Sequence, residues 1–252
     1  MSDLRLSVVL PAYNEEEFIE GALRSIDMAV KTANLKYEVL VVNDGSHDRT
    51  LDKVMKYAKS NKHVRIVSYQ NNKGKGFAEK SGFQHACGDI VIFSDSDQDI
   101  DLKTVSFYLK ALEQGDIVIA SKFHPDSIVS TPPVRKLLSL GLNVIVRLLT
   151  GVPFRDTQTG LKAMNRESCM NIFSLLSVKR FAFDVELLAV ANLYGLKVVE
   201  LPVRINLKGA FGLKQIWLMF LDSLRIAYRL RITHWYQNPP LPEIVFKEIS
   251  EF

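Results

Sequence analysis

The chain has 252 residues, long enough for one large domain with its own core, and a second full domain is not required. Hydrophobic residues make up 47% and charged residues 24%, which excludes a disordered chain. The formal net charge of +4 suits anionic phosphates or lipid headgroups, but no dense Lys/Arg run or nucleic-acid motif accompanies it, so nucleic acid is not an expected partner. Cys87 and Cys169 belong to no CxxC pattern and read as reduced core residues. No secretory leader pattern opens the sequence, and no stretch reaches the roughly 18 uncharged apolar residues of a membrane span. The expectation is a cytoplasmic protein, peripheral on any membrane it touches.

In chain order, an apolar strand over 6–10 precedes a helix over 15–32, whose Phe18, Ile19, Ala22, Leu23, Ile26, Ala29 and Val30 recur at helical spacing. A strand over 37–42, a helix over 48–60, a strand over 64–67 and a helix over 76–86 follow. Next come a strand over 90–93, a helix over 102–114 and a strand over 117–120. Short β-rich runs separated by amphipathic helices predict an α/β fold with βαβ units and a mainly parallel sheet. The second half is irregular. A Pro/Ser/Asp-rich loop spans 123–133, an apolar helix 135–150, a polar turn 155–160, a helix 184–194, a strand 198–202 and a long helix 215–231. The tail over 237–252, with three prolines and several glutamates, is expected to be weakly ordered.

Open α/β sheets bind ligands at the carboxyl ends of their strands. The polar clusters fall there: Tyr13-Asn14-Glu15 after the first strand, Asn43-Asp44-Gly45-Ser46 after the second and Asp95-Ser96-Asp97 after the fourth. Two carboxylates two residues apart can share a hard divalent cation, Mg²⁺ or Mn²⁺, that would bridge a nucleotide diphosphate. Asp99 offers a third ligand. The same pattern also serves as a solvated acidic loop or a helix cap. Asp44 can accept bonds from a ribose or base, or simply close a βα turn. Tyr13 can stack on a base, or pack on the core. In Asn72-Lys73-Gly74-Lys75-Gly76 the glycines admit close backbone approach and the lysines suit phosphate, without the spacing of a Walker loop.

Taken in order, VVLPAYNEE, VVNDGSHDRT, NKGKGFA and SDSD resemble the hallmark segments of family 2 glycosyltransferases. Phe154-Arg155-Asp156-Thr157-Gln158-Thr159-Gly160-Leu161-Lys162, Phe183-Asp184-Val185-Glu186-Leu187-Leu188 and Val199-Glu200-Leu201-Pro202-Val203 are similar to segments of dolichyl-phosphate glucosyltransferases and dolichol-phosphate mannose synthases. The resemblance implies a GT-A fold with a nucleotide-sugar part over 1–121, an acceptor-side part over 122–211 and an amphipathic helix over 212–236. It implies that Pro11, Ala12, Tyr13, Glu15, Asn43 and Asp44 hold the nucleoside. Asp95, Asp97 and Asp99 would hold the metal, and Lys75, Ser96, Lys208 and Lys214 would complete the donor site. Lys122 stands where many members have Arg, which keeps the charge but loses the bidentate fork. Arg135 and Lys136, with Lys122, match the positions that meet the acceptor phosphate, while Asp97, Lys122, Arg135 and Asp156 would carry the chemistry.

The implied activity is inverting transfer of a hexose from UDP-glucose or GDP-mannose to a polyprenyl (dolichyl) phosphate at a membrane surface. A transferase that extends a glycan and a silent nucleotide-sugar binder partnering a membrane protein are the alternatives; a homo-oligomer is left open. On a helical wheel Lys214, Gln215, Asp222, Arg225 and Arg229 share one arc, and Trp217, Phe220, Leu224, Ala227 and Tyr228 lie elsewhere, as in an interfacial helix.

Overall fold

The computed structural model describes residues 5–31, 35–95, 105–158, 160–206, 212–239 and 250–251. The first half is a repeated strand–helix pattern: β1 (Arg5–Ala12), α1 (Ile19–Lys31), β2 (Lys36–Asp44), α2 (Thr50–Ser60), β3 (Val64–Tyr69), α3 (Lys75–His85), β4 (Ile90–Phe93), α4 (Val105–Ala111) and β5 (Ile117–Ser121). The second half holds β6 (Ile128–Ser130), α5 (Pro133–Thr150), β7 (Lys162–Asn165), α6 (Arg166–Leu175), α7 (Phe183–Leu193), β8 (Val198–Pro202), β9 (Arg204–Asn206), α8 (Leu213–Arg231) and β10 (Ser250–Glu251).

The main sheet has the order β10-β3-β2-β1-β4-β7-β5-β8. β3, β2, β1 and β4 run parallel, as do β5 and β8. β7 is antiparallel to both β4 and β5 and closes the gap between the two parallel sets. A sheet covered on both faces needs strands that are apolar at successive positions, and β2 is buried over its last six residues. Successive side chains then feed two cores. Val9, Leu40, Val42 and Phe93 join Phe83, Phe173 and Leu187 on one face. Val8, Leu10, Val39 and Val41 join Ile19, Leu23 and Val54 on the other.

Several features differ from the sequence reading, among them Cys87, which is exposed and not part of the core. α1 begins at Ile19, four residues after the expected start at 15, because the backbone amides of Glu15 and Glu16 are drawn to Thr50 Oγ1 (2.8 Å) and Asp48 Oδ2 (3.1 Å) across the loops. β7 and α6 lie where no regular element was expected. The 123–133 loop contains β6, which pairs in parallel with β9. In the tail, Ser250–Glu251 pairs antiparallel with β3.

The outer helices carry a further difference. α5 buries Leu142, Asn143 and Val146 and exposes Val134, Leu137, Leu138, Leu140, Val144, Ile145 and Leu148. Most of the exposed set follows helical spacing, so the helix shows an apolar stripe to solvent. α5 packs against α8, which exposes Trp217, Leu224 and Tyr228, with Ile232 just beyond it. The polar arc read on α8 does not simply face outward. Asp222 is buried and paired with Arg180, and Arg229 reaches Ser177 and Glu186 and lies over the Trp235 ring.

Candidate active site

The carboxyl ends of β1, β2, β4 and β5 form one edge, and the charged residues gather there. On the β1–β2 side, Asn14 adopts φ 55°, its amide donates to Ser46 Oγ (3.1 Å), and its side-chain oxygen accepts from the His47 amide (2.9 Å). The two loops are thereby laced together, with Pro11 half-buried, Ala12 buried and Tyr13 exposed at their mouth. Asn43 donates through Nδ2 to Ser68 Oγ (2.9 Å). Asp44 is buried and accepts from the amides of Lys73 (2.7 Å) and Gly74 (2.9 Å). Burial raises its pKa above the ordinary carboxylate range despite those amides. The visible work of Asp44 is thus to hold the Lys73–Gly74 turn that begins α3. Lys73 in turn rests over the rings of Tyr69 (5.3 Å) and Phe77 (4.9 Å).

From that turn Lys75 reaches the residue after β4: its Nζ lies 2.5 Å from Asp95 Oδ1. Burial alone would raise the pKa of Asp95, but Lys75, with Lys162 and Lys122 further off, holds it below the usual value. Gly160 packs directly on this carboxylate. A Cβ there would sit 1.9 Å from Asp95 Oδ2 and 2.4 Å from Cγ. Behind Lys75 stand two buried carboxylates and a buried lysine. Lys162 Nζ lies 2.7 Å from Glu79 Oε2 and 2.6 Å from Asp184 Oδ1, and 4.8 Å from the centre of the Phe93 ring. Glu79 is also 4.0 Å from Lys75. Burial, opposed by Lys162 and reinforced by Asp184, pushes Glu79 up to about 7.

At the end of β5 the backbone amide of Lys122 donates to Asp156 Oδ2 (2.8 Å), and its Nζ lies 3.4 Å from the same carboxylate and 3.2 Å from the Gln158 carbonyl. Glu200 accepts from the amides of Arg155 (2.9 Å) and Asp156 (3.2 Å), and Asn143 of α5 donates to the Arg155 carbonyl (2.5 Å). Asp156, Thr157, Lys162 and Asp184 share the lining of one small cavity.

The structure therefore brings together Lys75 and Asp95, and Lys122 and Asp156. Arg135 and Lys136 lie in the first turn of α5, and Lys214 lies exposed at the start of α8. Ser96, Asp97, Asp99 and Lys208 lie outside the described residues. Glu79, Lys162 and Asp184 were not singled out from the sequence. The available signal was a charge inside an apolar run, as in Leu161-Lys162-Ala163-Met164, which demands a partner of opposite sign once buried.

A mainly parallel sheet with its charged edge at the strand ends is the arrangement of a GT-A fold. The model of glycosyl transferase family 2 matches residues 7–173, and the chain belongs to that family. It is 35% identical over 245 residues to a dolichyl-phosphate beta-glucosyltransferase of Trichomonas vaginalis, spanning 91% of this chain and 75% of that one. A dolichyl-phosphate beta-glucosyltransferase of Drosophila melanogaster is 36% identical over 217 residues, 80% of this chain and 67% of its own. Among solved structures, glucosyl-3-phosphoglycerate synthase from Mycobacterium tuberculosis, in complex with Mn²⁺, UDP and glucosyl-3-phosphoglycerate, superposes with TM-score 0.67 at 22% identity. That match covers 89% of this chain and 79% of the other.

Proposed function

We propose that this glycosyltransferase moves glucose from UDP-glucose to a dolichyl or related polyprenyl phosphate, with inversion at the anomeric carbon. The observation that carries the reading is the charged edge itself: Lys75, Asp95 and Gly160 face one another beside Lys122 and Asp156. The named relatives, dolichyl-phosphate beta-glucosyltransferases matched over most of the chain, supply the substrate class.

A phosphate acceptor is already an anion near neutral pH, so its oxygen needs no strong general base. The enzyme's task is alignment and neutralisation of the departing diphosphate. Lys75 would meet that diphosphate, while Lys122, Arg135 and Lys136 would meet the acceptor phosphate. Asp156, fixed by the Lys122 amide and by its own contact to the Gln158 amide (3.0 Å), would orient the sugar or the acceptor. Tyr13, Glu15, Asn43 and Asp44 with Pro11 and Ala12 would frame the nucleoside. In-line attack opposite the leaving group converts an α-linked donor to a β-linked product.

Asp95 fits a divalent cation: it is an oxygen donor kept ionised, and Gly160 leaves its carboxylate room at the charged edge. Together with Asp97 and Asp99 it would hold Mg²⁺ or Mn²⁺, which when bound supplies Lewis-acid stabilisation of the diphosphate.

No helix among the described residues is long and apolar enough to cross a membrane, yet the acceptor's hydrocarbon chain stays in lipid. The outward stripe of α5, with Leu137 71% and Leu148 72% exposed, and Trp217, Tyr228 and Ile232 by α8, would seat the protein on the bilayer. Asn143 ties α5 to the Arg155–Asp156 backbone, so the proposed lipid face and the acceptor side share one helix. The test is transfer with radiolabelled UDP-glucose and a polyprenyl phosphate in the presence of Mn²⁺. Label entering the lipid phase as a β-glucoside supports the reading; donor hydrolysis alone, with or without lipid, counts against it.

A further inference from the structure

The buried side of α8 is joined to the donor loop through a short segment, residues 177–180. Glu186 of α7 is fully buried and its two oxygens are saturated. It accepts from the Ser177 amide (2.9 Å), the Ser177 hydroxyl (2.9 Å), the Val178 amide (2.8 Å) and the Tyr236 hydroxyl (2.7 Å), and Arg229 of α8 lies 3.6 Å away. Two residues on, Arg180 grips Asp222 of α8 with both arms of its fork, Nε to Oδ2 at 3.2 Å and Nη2 to Oδ1 at 2.8 Å. Bidentate pairs of this kind fix direction as well as distance.

The other side of the segment carries the start of α3. The Phe77 amide donates to the Lys179 carbonyl (3.2 Å). A Cβ on Gly74 would lie 2.4 Å from the Lys179 oxygen, and one on Gly76 would lie 2.7 Å from that of Val178 and 2.9 Å from that of Arg180. Backbone therefore packs closely on backbone on both sides of Lys75, with Phe183 Cβ of α7 against Gly76 as well, 2.6 Å from where a Cβ there would lie. Residues 178–180 thus bear directly on the backbone that carries the lysine that meets Asp95.

We propose that residues 177–180 tie α8 to the donor loop, and that Arg180, Asp222 and Glu186 are positioning residues that set Lys75 for the diphosphate. This rests on the reading of Lys75 as a donor-binding residue. The helix tied to Lys75 in this way is the one whose outer side carries Trp217 and Tyr228.

The test is UDP binding to the full chain by titration calorimetry with Mn²⁺ and no lipid, alongside thermal melting. Arg180→Ala and Asp222→Asn should each weaken UDP binding by about fivefold or more. Because both remove one link, the double variant should be no weaker than the poorer single variant. In a Lys75→Ala background, Arg180→Ala should have no further effect, whereas a merely structural role would act equally in both backgrounds. Arg180 is 43% exposed at its side chain and Asp222 keeps Arg225 at 3.3 Å, and the melting curves show whether each variant keeps the fold. Arg180→Lys keeps the charge and should restore part of the affinity. UDP binding within about twofold of wild type in all variants, or equal losses with and without Lys75, overturns the tie. Failure of the wild-type protein to bind UDP would instead bring down the donor reading, and the tie with it.

Discussion

Replacing Gly160 by alanine places a methyl group where the Asp95 carboxylate now lies. The added Cβ would fall 1.9 Å from Oδ2, 2.4 Å from Cγ and 2.7 Å from Oδ1. Ordinary carbon contacts begin near 3.5 Å, so the carboxylate must retreat by roughly 1.5 Å. That moves it out of the position in which Lys75 now meets it at 2.5 Å. The lost charge-assisted hydrogen bond is worth about 1.5–3 kcal/mol, and a catalytic group misplaced by about 1 Å costs on the order of a hundredfold in rate. Gly160→Ala should therefore reduce kcat/KM for transfer by about a hundredfold, with a melting temperature lowered by only a few degrees. The assay is initial-rate transfer from labelled donor to polyprenyl phosphate, with circular dichroism to confirm the fold. Wild-type kinetics in a folded Gly160→Ala protein would refute the argument that this carboxylate works where the structure puts it.

Arg135→Ala with Lys136→Ala should raise KM for the lipid far more than for the nucleotide sugar, as measured by varying each substrate in turn; equal effects would remove both from the acceptor phosphate. In vesicle flotation the protein should rise with anionic lipid. Leu137→Ser with Trp217→Ser should abolish that while leaving UDP binding intact; flotation unchanged by these substitutions would assign the apolar stripe another role. Glu79 gives a pH signature. Burial pushes it up to about 7 from the ordinary 4.5, so the folded state holds the extra proton between those limits and this group's contribution to stability falls as pH rises through that window. Glu79→Gln lacks the titration, so wild type should lose melting temperature relative to the variant from about pH 4.5 to 7. Parallel curves would mean that Glu79 does not titrate there.

The first half of the fold is legible because its strands are short apolar runs and α1 and α2 each carry an apolar stripe. β2 illustrates this: Val39-Leu40-Val41-Val42 is apolar at successive positions because both faces of a parallel strand are covered. β7 escaped because Lys162–Asn165 is four residues long and opens on a lysine, and its strand character comes from pairing with β4 and β5, which are distant in sequence. The ion cluster escaped for the same reason: Glu79, Lys162 and Asp184 come from α3, β7 and α7, and nothing local announces that they meet. In α8 the helical wheel separated polar from apolar residues but could not say which side faces protein. Asp222 and Arg229 turn inward because Arg180 and Glu186 wait there, leaving Trp217 and Tyr228 outside. The motif positions Asp44, Lys75 and Asp95 were legible as a set, but the turn that Asp44 holds for Lys75 required coordinates.

The central claim, glucose transfer from UDP-glucose to a lipid phosphate, is tested most directly by a panel. Purified protein is given radiolabelled UDP-glucose, UDP-galactose, UDP-N-acetylglucosamine or GDP-mannose, each with Mn²⁺ and dolichyl phosphate, and the organic phase is counted and its anomer determined. Label is expected from UDP-glucose, as the β-linked phosphodiester, and is expected to be lost when Asp95 is replaced by Asn. Label only from GDP-mannose, an α-linked product, or label that appears only on an added sugar acceptor would contradict that claim.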